Sequence, residues 1–395
     1  MGLGVMTLSS LSPSAASTFA PNWVSQSLGM EELVANQVLA TPNGDLLLAA
    51  WDRALWHVDN PNIFPTDSAP YYLPPTSNTP AINDCWAMDW ASSDPDTIVA
   101  ILSNQNHNQN LSAVSADGGL TWTRFAADVT EPATGTAAGC VAASTPLNWV
   151  IQPAQNSVIT YGPMYTTNGG ASWTACTFND TTDYTQMHYA YFLRRHIVCA
   201  DRVAANTFYI FHQPTRLVYR STDSGANFIK MNSTALATGG LSVFNAKMKT
   251  VIGKEGHLWW TGGPAGSLAD YQTPAGIFTR SVDGGATWTT VGDVLEVMDF
   301  AFGKEAPGAS YPTLFIAGWV NSVYGIYMST DVSDTPAALS WTKIGAWPAG
   351  LIDNITCVEA DKLRFGRAYF GFVGNGFAYT DGAVEGQTRF RITTS

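Results

Sequence analysis

Ser281-Val282-Asp283-Gly284-Gly285-Ala286-Thr287-Trp288 decides the fold, because it recurs. Ser115-Ala116-Asp117-Gly118-Gly119-Leu120-Thr121-Trp122 and Thr166-Thr167-Asn168-Gly169-Gly170-Ala171-Ser172-Trp173 are further copies. Ser221-Thr222-Asp223-Ser224-Gly225-Ala226-Asn227-Phe228 is a fourth, and Ser329-Thr330-Asp331 opens a fifth that an insert stretches before Trp341. The chemistry is that of a hairpin tip. An Asp or Asn side chain bonds backbone amides a few residues on and mimics a turn. Glycines supply positive φ at little steric cost. The Trp folds back onto apolar side chains. Such a turn closes a hairpin and performs no catalysis.

Seven short β-rich runs carry or replace these tips: 54–59, 112–115, 163–166, 217–221, 276–281, 325–329 and 376–381. Their spacing, about fifty to sixty residues, suits one four-stranded blade each. A second strand signal precedes most of them, at 45–48, 97–102, 207–211, 257–261, 313–317 and 367–373. These runs alternate or are wholly apolar, as buried antiparallel strands should be. No convincing amphipathic helix is present. The expected fold is all-β: a single seven-bladed β-propeller over residues 21–395, preceded by a flexible Ser/Ala/Pro-rich arm over residues 1–20. Asn22-Trp23-Val24-Ser25-Gln26-Ser27 is the expected closing strand, added to the blade that ends near Tyr379 so that no sheet edge stays open.

Charged residues make up only 13% of the chain, aromatics 12%, and the formal net charge is −12 with no basic run. Nucleic acid and anionic membrane are therefore excluded as expected partners. A hydroxyl-rich polysaccharide fits better, since sugars stack on aromatic rings. The five cysteines, Cys85, Cys140, Cys176, Cys199 and Cys357, show no metal spacing. No metal or other cofactor is expected; at least one thiol has no partner within the chain, and one pair could be bridged in an oxidising setting. No transmembrane run exists, and the N-terminus lacks the pattern of a signal peptide. Gly2 resembles a myristoylation start, but Met6 stands where Ser or Thr is wanted. The expected setting is extracellular or virion-associated, with residues 1–20 as a possible tether to a protein partner or larger assembly, including a homo-oligomer.

The Ser/Thr-x-Asp-x-Gly-x-x-Trp pattern resembles the Asp box (BNR repeat) of sialidase-like propellers. A more specific resemblance lies in Phe302-Gly303-Lys304-Glu305-Ala306-Pro307-Gly308-Ala309-Ser310-Tyr311-Pro312 followed by Leu314-Phe315-Ile316-Ala317-Gly318. With Ala200-Asp201-Arg202-Val203, Gly256-His257-Leu258-Trp259 and Gly366-Arg367-Ala368-Tyr369, it is similar to the C-terminal propeller of glycoside hydrolase family 74, the xyloglucan-cleaving double propellers. Gly29-Met30-Glu31-Glu32 and Leu46-Leu47-Leu48-Ala49-Ala50-Trp51-Asp52 resemble the opening of that propeller. The resemblance implies an inverting hydrolase with one catalytic Asp on each of two propellers. The acid's Gly-Asp-x-Gly-Gly-Phe segment falls on Trp51-Asp52-Arg53-Ala54-Leu55-Trp56, so Asp52 is the general acid if the chain is active.

Two departures weaken that activity. Arg53, Ala54 and Leu55 replace an apolar residue and two glycines, and a cation beside Asp52 would lower the pKa that a general acid needs raised. Inversion also needs a second carboxylate about 6.5–9.5 Å away, and only one propeller is present. Asp89 is the first substitute to test, with Asp84, Asp299, Asp353 and Glu359 behind it, each read as a turn or surface residue otherwise. The candidate sugar platform is Trp51, Trp56, Tyr71, Tyr72, Trp86, Trp90, Trp260 and Trp319. The favoured reading is a glycan-recognising or structural module, such as a phage tail or decoration component, with an incomplete active site. The alternative is an active xyloglucanase-type endo-β-glucanase. A sialidase would need an arginine cluster and a Tyr–Glu pair that the sequence does not assemble.

Overall fold

The computed structural model describes residues 6–8, 23–25, 33–51, 53–63, 82–104, 109–129, 138–153, 162–180, 196–236, 246–263, 277–335, 338–345, 355–381 and 391–392. Among them there is no helix, so none is long and apolar enough to cross a membrane. Seven antiparallel meanders form the seven blades of a propeller. Their inner strands are Ala35–Ala40, Asp84–Ala91, Gly139–Thr145, Val198–Ala200, Lys247–Val251, Val294–Gly303 and Ile355–Ala360. Each is followed outward by a second and a third strand. All seven sequence-expected runs prove to be third strands, from Leu55–His57 in blade 1 to Phe377–Thr380 in blade 7. The six expected second strands hold too, with Asn148–Pro153 of blade 3 added.

The repeated turns behave as their chemistry predicts. In blade 5 the Ser281 hydroxyl donates to Asp283 Oδ1 at 2.7 Å and accepts the Gly285 N–H at 2.9 Å. Asp283 accepts the Thr287 N–H at 2.9 Å and its hydroxyl at 2.6 Å. Trp288 Nε1 donates to the Gly285 carbonyl at 2.9 Å. Both glycines have positive φ, 72° and 91°. A Cβ at Gly285 would lie 3.0 Å from Val218 Cγ1, and one at Gly284 2.7 Å from Arg220 Nη1, both on the preceding blade. The turn therefore also packs blade on blade. In blade 6 the insert is bridged: Asp331 accepts the Ser340 N–H at 2.9 Å, nine residues on.

Ring closure differs from expectation. The outer strand of blade 7 is Arg391–Ile392, paired with Phe377–Thr380. Trp23–Ser25 instead pairs antiparallel with Met6–Leu8. The last blade thus draws its edge from the nearer chain segment, and blade 1 shows three strands among the described residues. Blades 7 and 1 meet directly. Thr356 Oγ1 donates to the Ala35 carbonyl at 2.8 Å, and the Gly376 N–H to the Leu33 carbonyl at 3.2 Å. Blades 3 and 4 are stitched by Thr177–Phe178, which runs parallel to Asn227–Lys230. All five cysteines are free thiols, so the one bridge that the sequence left open does not form.

Candidate functional site

The inner strands enclose a central channel, and three ionic nodes line it. The first is Asp89, on the inner strand of blade 2. Its Oδ1 accepts Arg202 Nη2 at 2.5 Å, and its Oδ2 accepts the Ala143 N–H of blade 3 at 2.9 Å. Arg202, just past the inner strand of blade 4, also donates to the Trp90 carbonyl at 2.8 Å and stacks 3.9 Å over the Trp90 ring. Burial pushes the Asp89 carboxyl up, while Arg202 and the amides pull it back.

The second node is Asp299 of blade 6. A bulge between Val297 and Asp299 interrupts the register there. Its carboxylate meets Lys247 Nζ at 3.1 Å and Lys249 Nζ at 2.8 Å, and accepts the Val358 N–H of blade 7 at 2.7 Å. Alternation along Lys247-Met248-Lys249 sends both ammonium groups to the channel and Met248 into the core. Burial alone would raise Asp299, but the two lysines outweigh it and hold the carboxyl below its ordinary value. Burial pushes Lys247 down, against the pull of Asp299. The third node is Glu359 with Lys362, in blade 7. His196, on the channel wall, is pushed down to about 3 by burial and by Lys249, so its imidazole is neutral.

These placements correct the reading of the carboxylates as turn or surface groups. Asp89 and Asp299 are each 2% exposed and tied to cations. Asp84 is equally buried and accepts the Ser103 hydroxyl at 3.3 Å. At Asp299 the two lysines and the Val358 amide stabilise the anion, which weakens it as a base; Asp89 stays raised by burial, but both its oxygens are taken up by Arg202 and the Ala143 N–H. Asp353 lies outside the described residues, as do Asp52, Tyr71 and Tyr72.

The frame around Asp52 is described. The Trp51 N–H donates to the Val34 carbonyl at 3.0 Å, and the Ala54 N–H to the Asn83 carbonyl at 2.8 Å. Ala54 has a φ of 54°, the left-handed region that favours glycine. At the position where the resemblance implies a glycine, an alanine takes a conformation that favours glycine. Leu55 is fully buried against Leu39 and Leu47, and Arg53 is exposed.

The aromatic platform is smaller than expected. Trp56, Trp86, Trp90 and Trp260 are buried in core clusters. A ring closed on both faces offers nothing for a sugar to stack on, so these four are corrected to packing residues. Trp86 anchors itself by donating Nε1 to Ser103 Oγ at 2.9 Å. Trp51 and Trp319 are half-buried, the first edge-on to Trp86 at 5.6 Å, the second edge-on to Tyr324 at 5.5 Å. Both sit at the exit end of a second strand, hence on one face of the propeller, opposite the repeated turns.

Sequence reasoning missed the cations. Arg202 and Lys362 occupy equivalent places in Ala200-Asp201-Arg202 and Ala360-Asp361-Lys362. In each, the Asp caps two amides of the next turn and accepts a Tyr hydroxyl at 2.9 Å, from Tyr209 and from Tyr369. The repeat of that triplet was the available signal. No cluster of His, Cys, Asp and Glu fit for a metal ion occurs among the described residues.

No protein-family model matches the chain. It is 26% identical over 356 residues to a xyloglucanase of Paenibacillus sp., covering 89% of this chain and 30% of that protein. It is 26% identical over 393 residues to an oligoxyloglucan-reducing end-specific xyloglucanase of Emericella nidulans, covering 92% of this chain and 42% of that one. The chain thus spans well under half the length of these curated relatives. A family 74 enzyme of Niastella koreensis superposes with a TM-score of 0.65 at 23% identity, over 93% of this chain and 46% of that one. The family 74 xyloglucanase of Xanthomonas campestris gives 0.63 at 23%, over 91% and 44%. Sequence and fold together support homology of this seven-bladed propeller to part of the glycoside hydrolase family 74 xyloglucanases.

Proposed function

We propose that the chain is a polysaccharide-recognising β-propeller with an incomplete active site of its own. The ligand face is the one that bears Trp51 and Trp319. The observation that carries this reading is the state of the inner carboxylates. Asp89, Asp299 and Glu359 are each engaged by a buried or half-buried cation, which leaves none of the three as a ready base. Tyr71 and Tyr72 belong to the proposed platform through their Pro-rich insertion. The setting is extracellular, in solution or on a virion appendage, with residues 1–20 as the tether.

The test is isothermal titration of xyloglucan oligosaccharides into the parent and into Trp51→Ala, Trp319→Ala and Tyr71→Ala/Tyr72→Ala variants. Loss of about 1–3 kcal/mol per removed stacking ring would match the platform, by analogy with base–aromatic stacks. Unchanged binding in all three would remove it.

A second reading is an inverting hydrolase with Asp52 as acid. It is favoured by the glycine-like backbone of Ala54 and by the relatives' names. A base would then come from a second propeller, as the family resemblance implies.

A further inference from the structure

Asn-Gly occurs three times in the chain, at Asn43-Gly44, Asn168-Gly169 and Asn375-Gly376. The step is chemically labile. Glycine has no side chain to shield its amide or restrict its dihedrals, so its nitrogen can reach the carbonyl carbon of the preceding side chain. All three asparagines are exposed, and the difference lies in the glycine that would attack. Gly376 is buried, and its N–H donates to the Leu33 carbonyl of blade 1 at 3.2 Å. Gly169 is half-buried, with its N–H on the Leu147 carbonyl at 2.9 Å. Asn168 itself is fixed: its Oδ1 accepts the Thr166 hydroxyl at 2.8 Å and the Ser172 N–H at 3.0 Å, and its Nδ2 donates to Ser172 Oγ at 2.8 Å. Gly44 is exposed, with a φ of 104°, and its N–H bonds the Thr41 carbonyl of the same turn at 3.1 Å.

We propose that Asn43 is a site of spontaneous deamidation, with hydroxide and water as co-reactants, and that the reaction cuts a tie between blades 1 and 2. Hydroxide takes the Gly44 amide proton. The nitrogen attacks Asn43 Cγ, the bond from Cγ to Nδ2 breaks, and ammonia leaves with a proton from water. Water then opens the succinimide at either carbonyl, giving an aspartyl or an isoaspartyl link; nothing is oxidised or reduced. In the unreacted turn Asn43 Nδ2 donates to Asp96 Oδ1 of blade 2 at 2.5 Å. The Asp96 carbonyl in turn accepts the Gly118 N–H of the blade 2 turn at 2.9 Å. A carboxylate at position 43 sets acceptor against acceptor and negative against negative there. The isoaspartyl form also adds a carbon to the main chain of the turn that holds Gly44 to Thr41.

The test holds the purified chain at mildly alkaline pH, folded and in urea, and follows the gain of one mass unit in the peptides that contain Asn43, Asn168 and Asn375. In urea all three should convert at similar rates, since each precedes a glycine. In the folded chain Asn43 should convert more than about tenfold faster than Asn168, because each bond that must open at Asn168 slows attack roughly two- to tenfold. Aged parent should melt below fresh parent. An aged Asn43→Gln variant, whose longer side chain closes no five-membered ring, should not shift. Asn43 unconverted in the folded chain after urea has converted it fully, Asn168 or Asn375 converting as fast as Asn43 in the folded chain, or equal melting shifts in aged parent and aged Asn43→Gln would each overturn the proposal.

Discussion

Arg202→Met isolates the ionic ties of the channel. The guanidinium bonds Asp89 at 2.5 Å and reaches the Trp90 carbonyl and Ser92 hydroxyl of blade 2 at 2.8 and 3.2 Å. The Asp89 side chain is 3% exposed and that of Arg202 11%. Methionine keeps much of the stem's packing over Trp90 but leaves the carboxylate with the Ala143 N–H in place of a cation. Removing one partner of a buried pair costs about 3–5 kcal/mol. That is a large part of the roughly 5–15 kcal/mol that keeps a protein folded. The companion Asp89→Leu/Arg202→Met should recover most of the loss, because an apolar pair of similar volume replaces a buried ion pair at little net cost.

The pH dependence has a defined sign. Burial already raises Asp89 in the parent, and without the Arg202 charge its folded-state pKa rises further above the unfolded value, about 3.9. The charged form then destabilises the fold, and protonation relieves the penalty. The deficit of Arg202→Met relative to the parent should therefore shrink as pH falls from 8 toward 5. Urea unfolding of the parent, the single variant and the double variant measures all of this. A single variant within about 1 kcal/mol of the parent, or a deficit that grows on acidification, would refute the reasoning.

Asp283→Ala removes two acceptor bonds to Thr287 and one to Ser281, and should cost about 1–3 kcal/mol in a denaturant titration, with no effect on glycan binding. Burial raises Asp117, Asp283 and Asp331, but bonds from Thr121, Thr287 and Ser329 with their neighbours outweigh it and hold all three below the ordinary range. Their contribution is present above the unfolded value, about 3.9, and is lost as pH falls through the lower folded values, so stability should drop below about pH 4. Gly318→Ala would put a Cβ 2.2 Å from the Glu296 carbonyl oxygen and 3.0 Å from Val297 Cα, both backbone atoms. It should unfold the protein at lower temperature by several degrees, whereas Gly374→Ala, with nothing within 4 Å, should shift melting little.

The blade count was legible because third strands sit beside the repeated turns, and those turns use local chemistry. Ser281, Asp283 and Gly285 bond within five residues, so a short window of sequence contains the whole device. Ring closure was not legible. Trp23–Ser25 is a strand, but its partner is Met6–Leu8, and an apolar triplet does not name its neighbour. The channel was hidden for the same reason on a longer scale. Asp89 and Arg202 are 113 positions apart, and Lys247 reaches the Thr356 carbonyl 109 positions on. Each looks like an isolated charge until the blades bring the inner strands together. The aromatic platform failed at Trp56, Trp86, Trp90 and Trp260 because a Trp between blades and a Trp on a face have the same sequence signature. Burial separates them, and only the fold gives burial.

The central claim is recognition without hydrolysis by this propeller alone. The most direct measurement is reducing-sugar release from xyloglucan and a panel of β-glucans by the purified chain, beside its Asp52→Ala variant, with binding to the same polysaccharides followed in parallel. The account predicts binding to at least one glycan and no release by either protein. Release by the parent that Asp52→Ala abolishes would contradict it, and would make the chain an inverting hydrolase whose base has yet to be found.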